Sequence, residues 1–437
     1  MKRVVILVLA FAMFLCSTGC AKGGEVAEST ATTENTVVPT ESVIAVMTPE
    51  VTVPEATEPP EPVAKPEPEI PGVWTVNAVV SVSFFSYPDG TIVGSIPAGS
   101  TVEVLGWTER YAKVNYEGRE GYVLAGYLMP GDSSYMTRAL STVRTGNLYT
   151  YWDMVEDIRS LKKQYPTLVT TSSLGTTELG RDIPMLCIGN LDAEYHVLIQ
   201  GAIHGREHLT AWVVMAMADY WLGHGIWNYG DVCYHIIPMV NPDGVIISQT
   251  QTLNDEQKAM YATDRAKGYT VKSEYGYAQD WKANGKGVDL NRSFPSGWDP
   301  IDDRDGPSSE RYKGIKPFSA VEAIALRDYT YAYDFDATIS YHSSGSIIYY
   351  EYGKKEPVNS QSKALGLAVS EISGYRMANS VGVGGAGYKD WAMDELGIPS
   401  LTIEIGSGDS PLNSTESYST FVRNIGVLPA IATWLQE

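Results

Sequence analysis

Apolar runs of strand length alternate with helical patterns through residues 146–437, and this alternation restricts the fold more than any other feature. The runs at 183–188, 195–201 and 400–405 predict buried strands, whereas 209–222 is apolar nearly all round and predicts a buried helix. Such alternation predicts a mixed sheet with helices on both faces, with chemistry at the carboxyl ends of its strands. Further elements are predicted as helices over 151–165 and 360–372 and as strands over 168–172, 234–240 and 337–341.

Residues 73–130 have a different pattern, with short alternating runs separated by turn residues such as Pro88-Asp89-Gly90. Strands of this length and spacing predict a small all-β barrel. The run from Val93 to Val104 and the later Gly121-Tyr122-Val123 resemble a bacterial SH3 domain. The resemblance implies binding to cell-wall peptides; a spacer barrel without a ligand is the alternative. The predicted strands are 78–84, 91–96, 101–107, 111–116 and 120–123.

The first 20 residues predict an exported protein. Lys2 and Arg3 precede an apolar run over 4–15 that is too short to span a bilayer comfortably. Small residues ending in Cys20 resemble a bacterial lipoprotein signal, which implies a lipid on Cys20 and a location on the outer side of the bacterial membrane. Ser17 stands where leucine is usual, so ordinary secretion is the alternative.

Residues 21–71 contain nine of the 24 prolines and no aromatic residue. A segment of this composition cannot bury enough apolar surface to fold, and it predicts a disordered tether between the membrane and the domains.

The composition also limits the partners. A formal net charge of −20 argues against nucleic acid. Cys187 and Cys233 are the two cysteines that follow the signal. They do not make a disulfide framework, and two buried thiols on strands are favoured over a pair.

His204-Gly205-Arg206-Glu207-His208 follows a predicted strand and carries residue types that bind zinc. His204 and Glu207 can face one metal, and His342, at the end of the strand over 337–341, is a candidate third ligand. The same pentapeptide also matches the inverted zincin pattern, in which His204 and His208 bind the metal and Glu207 is the base.

Six blocks in chain order resemble the zinc carboxypeptidase (M14) family across residues 146–437. The resemblance implies an α/β domain of that fold, one Zn²⁺ per chain, and His204, Glu207 and His342 as its ligands rather than the inverted zincin set. The blocks are Leu174-Gly175 with Gly180-Arg181, His204 to Glu207, Asn241-Pro242-Asp243-Gly244, Gly287 to Arg292, Tyr341 to Gly345, and Asp390-Trp391 with Thr402 to Gly406.

The same resemblance implies roles around the metal. Glu404, on an apolar strand, matches the general base, and Asp289 matches the carboxylate that orients His204. Lys282 stands where pancreatic members have the arginine that stabilises the oxyanion.

Four further residues match substrate-binding positions by resemblance. Asn291 and Arg292 correspond to the pair that binds a free substrate carboxylate, and Arg206 to an arginine on the non-primed side. Lys389 lies just before Asp390-Trp391, where specificity is set, and a cation there favours a carboxylate-bearing leaving residue.

Trp281-Lys282-Ala283-Asn284 and Ala386-Gly387-Tyr388-Lys389 resemble a subgroup that cuts the γ-D-glutamyl–diaminopimelate bond of peptidoglycan. We therefore expect a zinc peptidase that acts on peptidoglycan stem peptides. A general extracellular carboxypeptidase on L-peptides and a non-catalytic cell-wall-binding protein are the alternatives.

Overall fold

The structure of the chain is a computed structural model that describes residues 73–76, 81–88, 90–97, 100–107, 111–124, 128–130, 140–144, 148–226, 230–353, 355–379 and 385–437. The predicted signal (1–20) and the predicted tether (21–71) lie outside these residues. Across the described ranges, no helix is long and apolar enough to cross a bilayer.

The first part of the described chain is an all-β, antiparallel sheet in the order β3-β2-β6-β5-β4-β1-β7, packed around its own apolar core. In β2, Val82 and Phe84 are buried while Ser81 and Ser83 are exposed, which is the period-two pattern of a half-buried strand. The predicted all-β class is confirmed, and β1 and β7 were not predicted. The strands are β1 (Val73–Val76), β2 (Ser81–Phe85), β3 (Ile92–Pro97), β4 (Thr101–Trp107), β5 (Tyr111–Tyr116), β6 (Arg119–Leu124) and β7 (Leu128–Pro130).

A mixed eight-stranded sheet organises the rest of the described chain, in the order β14-β13-β15-β12-β10-β11-β9-β8. Its four central strands, β15, β12, β10 and β11, run parallel, and β9 and β13 pair antiparallel to them. The strands are β8 (Val169–Thr176), β9 (Asp182–Ile188), β10 (Tyr195–Gln200), β11 (Val232–Ile237), β12 (Ala337–Ser343), β13 (Ile347–Tyr349), β14 (Arg376–Ala378) and β15 (Ser400–Ile405).

Helices cover both faces of this sheet, as predicted. Successive strand residues enter different cores: Leu186 and Ile188 pack on one face, and Met185 and Cys187 on the other. Helices α1, α2, α7 and α10 contribute to the first core and α6 and α8 to the second. The helices are α1 (Tyr151–Gln164), α2 (Leu209–His224), α3 (Pro242–Thr250), α4 (Asp255–Ala266), α5 (Glu274–Gln279), α6 (Val321–Ala332), α7 (Val358–Ser373), α8 (Tyr388–Trp391), α9 (Ser417–Asn424) and α10 (Val427–Gln436).

The parallel arrangement of β10, β12 and β15 decides where the chemistry lies. The carboxyl ends of neighbouring parallel strands meet at one edge of a sheet. The loop after β10 and the last residues of β12 and β15 therefore converge there, and they carry His204, His342 and Glu404.

The three predicted helices correspond to α1, α2 and α7, and the six predicted strands to β8–β12 and β15, whereas β13, β14 and the other seven described helices were not predicted. One difference in the predicted strands affects the site. Strand β15 has the predicted bounds, whereas β12 extends to Ser343 rather than ending at 341. His342 is thus held within a hydrogen-bonded strand, not beyond its end.

Candidate active site

A short turn after β10 holds the first two predicted ligands together. A one-turn 3₁₀ helix over Gly205–Glu207 brings the Nδ1 atom of His204 to 2.9 Å from Oε1 of Glu207. A Cβ atom at Gly205 would lie 2.3 Å from the carbonyl carbon of Gly244, so only glycine allows this close backbone approach. Asn241 fixes the same turn, because its Nδ2 donates to the carbonyl of Ile203.

His342 reaches the same carboxylate from β12. Its Nδ1 atom lies 2.9 Å from Oε2 of Glu207, so the two imidazoles face opposite oxygens of one side chain. His204, Glu207 and His342 are 7%, 2% and 2% exposed, and their ligand atoms all lie within 4.8 Å of one another. Two imidazole nitrogens and a carboxylate form the donor set of many catalytic zinc sites, so the residues fit this metal.

The carboxylate of Asp289 lies behind His204. Its Oδ1 atom is 3.2 Å from Nε2 of His204, and its Oδ2 accepts a hydrogen bond from the backbone N–H of Arg311. Burial acts to raise the pKa of Asp289, but the charges of His204, Lys282 and Arg292 outweigh it and hold that pKa below its usual range. An ionised carboxylate here fixes the His204 tautomer that presents Nδ1 to a metal.

The inverted zincin arrangement does not match this geometry. His208 is absent from the group formed by His204, Glu207 and His342, and its side chain lines a different cavity beside Leu148 and Tyr149. Burial lowers the pKa of His208 to about 4, so it is neutral at physiological pH. We conclude that His208 is a structural residue at the start of α2.

Glu404 lies next to the predicted metal centre on the neighbouring strand. It is the register partner of His342 across the β12–β15 pair, and it lines one cavity together with His204 and Lys282. Burial is the main cause that raises the pKa of Glu404 to about 7, and the charge of Glu207 adds to it, while His342 and Lys282 oppose it. A carboxyl group with a pKa near neutrality can both accept and donate a proton at working pH.

This cavity has a volume of about 370 Å³ and contains most of the predicted substrate residues. Its walls carry four cationic and four acidic side chains, although the chain as a whole carries a charge of −20. The four cations are Lys282, Arg292, Arg311 and Lys389, and the four acids are Asp289, Glu310, Asp390 and Glu404.

Two of these cations approach the metal centre from the loop that precedes α6. The Nζ atom of Lys282 lies 3.4 Å from Oε1 of Glu207. The Nε atom of Arg292 lies 3.5 Å from Oδ2 of Asp289, and its Nη1 donates to the carbonyl of Asp302. Both side chains are partly exposed to the cavity.

Lys389, the cation that the sequence placed at the specificity position, is half of a buried ion pair. Its Nζ atom lies 2.6 Å from Oδ1 of Asp390 and donates to the carbonyl of Glu351 at 3.0 Å. Asn291 accepts from the backbone N–H of Tyr388 through Oδ1, which fixes this side chain at the cavity wall. The wall therefore presents a positive and a negative charge side by side.

Arg206 is placed differently from the other predicted substrate residues. It does not line the cavity around His204, and its Nε atom is buried with no hydrogen-bond partner among the described residues.

Sequence reasoning did not single out Asp390 or Asn241 as functional. Asp390 was visible as part of the Asp-Trp pair, but its pairing with Lys389 depends on the turn into α8. Asn241 was visible in Asn-Pro-Asp-Gly, where an asparagine before proline is typical of a helix cap.

A buried His–Glu–His cluster beside a half-buried glutamate, at the carboxyl edge of a mixed sheet, defines a metal-dependent hydrolase. The family model described as "Zinc carboxypeptidase" matches residues 154–423, and the "Bacterial SH3 domain" model matches 88–129. The chain therefore belongs to the zinc carboxypeptidase family and is a zinc metallopeptidase.

Individual relatives agree with this family. Gamma-D-glutamyl-L-diamino acid endopeptidase 1 of Lysinibacillus sphaericus is 32% identical over 299 residues, which cover 64% of this chain and 72% of that protein. Carboxypeptidase B of Astacus astacus is 27% identical over 56% of this chain and 82% of its own. Carboxypeptidase A from Helicoverpa armigera shares the fold, with a TM-score of 0.53 and 20% identity over 76% of this chain and 91% of that structure.

Proposed function

We propose that this peptidase hydrolyses the γ-D-glutamyl–diaminopimelate bond of peptidoglycan stem peptides. The observation that carries the proposal is the pair of charge sites in one cavity: Arg292 near the metal centre, and the Lys389–Asp390 ion pair on the wall. The relative named for a γ-D-glutamyl-L-diamino acid bond supports the same substrate class.

The chemistry follows from the residues around the bond to be cut. Zinc held by His204, Glu207 and His342 supplies a Lewis acid that polarises a carbonyl and lowers the pKa of water. Glu404 takes the proton from the attacking water and passes it to the departing amine, so that the bond breaks without releasing an unstable anion. Lys282 supplies positive charge for the oxygen on which negative charge develops.

Diaminopimelate suits the charges of the cavity. As the last residue of a tripeptide it has a free carboxylate next to the cleaved bond, and a second carbon that carries both an ammonium and a carboxylate. Arg292 can bind the first carboxylate through parallel hydrogen bonds, and the Nδ2 of Asn291 can add another. The Lys389–Asp390 pair is complementary to the zwitterionic far end, because each charge meets its opposite.

The same proposal includes the surroundings of the enzyme. Export, a lipid on Cys20 and a tether over 21–71 would place the peptidase outside the membrane, where its substrate is. The SH3-like domain would then bind the cell wall and raise the local concentration of substrate.

The test compares three substrates on the purified protein by mass spectrometry. They are L-Ala-γ-D-Glu-diaminopimelate, the same tripeptide with L-lysine at its end, and an ordinary L-peptide with a free carboxylate. We expect free diaminopimelate from the first substrate. The lysine tripeptide should be cleaved at no more than about a tenth of that rate, because its distal carboxylate is missing. Faster turnover of the L-peptide than of either tripeptide would contradict this proposal and favour a general carboxypeptidase activity. Arg292 and Asn291 could bind the free carboxylate of an L-peptide as well.

A further inference from the structure

Cys187, Cys233 and His235 form a second cluster of metal-binding side chains, separate from the peptidase ligands. We refer to these three residues as the thiol cluster. All three are buried, both cysteines are free thiols, and their ligand atoms lie within 4.8 Å of one another. Among the described residues, this cluster and the His204–Glu207–His342 centre are the two groups of this kind.

The sheet register creates the thiol cluster. Cys187 on β9 is the direct partner of His235 on β11, so their side chains project from the same face. Cys233 lies two residues before His235 on that strand and shares the face. His196 on β10 is in turn the partner of Cys233, which adds a second imidazole beside the cluster.

The separations within the thiol cluster match those of a zinc site. The Sγ atom of Cys187 lies 3.5 Å from Nδ1 of His235. Zinc–sulfur and zinc–nitrogen bonds at a tetrahedral angle separate the two ligand atoms by about 3.6 Å. The hydroxyl of Tyr329, on α6, lies 3.8 Å from the same sulfur and 2.7 Å from the same nitrogen. The second distance is that of a hydrogen bond and is shorter than the roughly 3.3 Å between nitrogen and oxygen ligands of one zinc, so this oxygen would have to move away from the nitrogen to become a fourth donor.

A second imidazole orients the one in the cluster. The Nε2 atom of His235 lies 2.8 Å from Nδ1 of His196. When His235 carries its proton on Nε2 and donates it to His196, the lone pair on its Nδ1 points towards Cys187. Metal-bound histidines are commonly fixed by such a hydrogen bond from the second ring nitrogen.

Charge balance favours a divalent ion in the thiol cluster. One thiolate alone would leave an uncompensated charge in the core, which is costly. Two thiolates with a divalent cation are neutral together, and the neutral imidazole and phenol add no charge.

We propose that the thiol cluster binds a second Zn²⁺, with Cys187 Sγ, Cys233 Sγ and His235 Nδ1 as ligands and the Tyr329 hydroxyl as the fourth donor. Thiolate and imidazole ligands are the ones that zinc prefers, and closed four-coordinate sites of this type are structural. This zinc would join β9, β11 and α6 on the face of the sheet that also packs against α8. The inference does not depend on which peptide the enzyme cleaves.

The first measurement is the zinc content of the purified full-length chain by mass spectrometry, in protein prepared under nitrogen with zinc present. The wild type should contain two zinc ions per chain. Glu207→Gln should keep one and Cys187→Ser/Cys233→Ser should keep the other, with both variants folded by circular dichroism. A wild type with a single zinc that Glu207→Gln removes, or one whose two thiols are joined in a disulfide, would overturn the proposal.

A second measurement detects the thiolate ligands in a chain that keeps both cysteines, so its main result does not depend on whether the serine variants fold. The Glu207→Gln chain, produced with Co²⁺ in place of zinc, should show the near-ultraviolet absorption of thiolate-to-cobalt charge transfer. Adding Cys233→Ser should weaken this band, whereas the matched change Ser248→Ala, at another buried side chain, should leave it unchanged. A cobalt-loaded Glu207→Gln chain without the band would also overturn the proposal.

Discussion

His342 and Glu404 are direct partners in the parallel pairing of β12 with β15, so a metal ligand and the proposed base are fixed side by side by backbone hydrogen bonds. Neither side chain depends on a loop for its position. Glu207, from the turn after β10, contacts Nδ1 of His342 through its Oε2. A rigid sheet edge thus fixes Glu404 relative to His342, which would hold the base beside a metal bound there.

Loss of the charge on Asp289 should weaken zinc binding without removing a ligand. We expect Asp289→Asn to reduce zinc affinity at the peptidase centre by about 10- to 100-fold, because its Oδ1 orients His204 from behind. Competition with a chelator measures this affinity. Asp264→Asn is the matched control, since Asp264 is equally buried but contacts Tyr277 and Ser308. Equal loss in both variants would mean that Asp289 acts through stability alone.

Arg292 should contribute to binding of substrates with a free terminal carboxylate. Arg292→Lys keeps the positive charge but loses the two parallel N–H donors of the guanidinium. KM should therefore rise by about 10- to 100-fold, which corresponds to the loss of one hydrogen bond to a charged group. Substrates with an amidated terminus should be affected much less. Steady-state kinetics on substrates with a free and with an amidated terminus tests this, with Arg159→Lys, at an exposed residue, as the control. The same rise in KM on both forms would contradict a carboxylate-binding role.

His208 should make the folded chain less stable in acid. Its pKa is about 4 in the folded state because of burial, against 6.5 for an ordinary histidine. As the pH falls from 6.5 to 4, the unfolded chain binds a proton that the folded chain does not, so the free energy of unfolding should decrease by about 3 kcal/mol from this residue. Above pH 6.5 the effect is absent.

Urea unfolding of the metal-free protein at neutral and acid pH measures this contribution. His208→Gln should lose less stability than the wild type over that interval, since glutamine does not titrate. Parallel curves for the two proteins would show that His208 is protonated in the folded chain as well.

The sequence predicted the site better than it predicted the surrounding helices. Strand β15 and the cluster of His204, Glu207 and His342 follow from apolar runs and from ordered motifs that need no knowledge of packing. Of the described helices, α1, α2 and α7 were predicted, and the other seven, α3 among them, were not. Helix α3 is buried on several sides and therefore has no clear apolar stripe, which removes the usual signal.

Contacts that depend on strand register or on side-chain direction could not be predicted from the sequence. Cys187 and His235 could be assigned to strands, but only the antiparallel register of β9 and β11 makes them neighbours. The pairing of Lys389 with Asp390 depends on the side-chain directions at the start of α8, where adjacent residues do not usually meet. Such local geometry is set by tertiary packing.

The most direct test of the account is hydrolysis of L-Ala-γ-D-Glu-diaminopimelate by the wild type and by Glu404→Gln at equal zinc content. The account predicts that the wild type releases free diaminopimelate and that Glu404→Gln, although it binds zinc normally, is slower by about 100- to 10,000-fold. Comparable rates from the two proteins would contradict the assignment of Glu404 as the base at this metal centre.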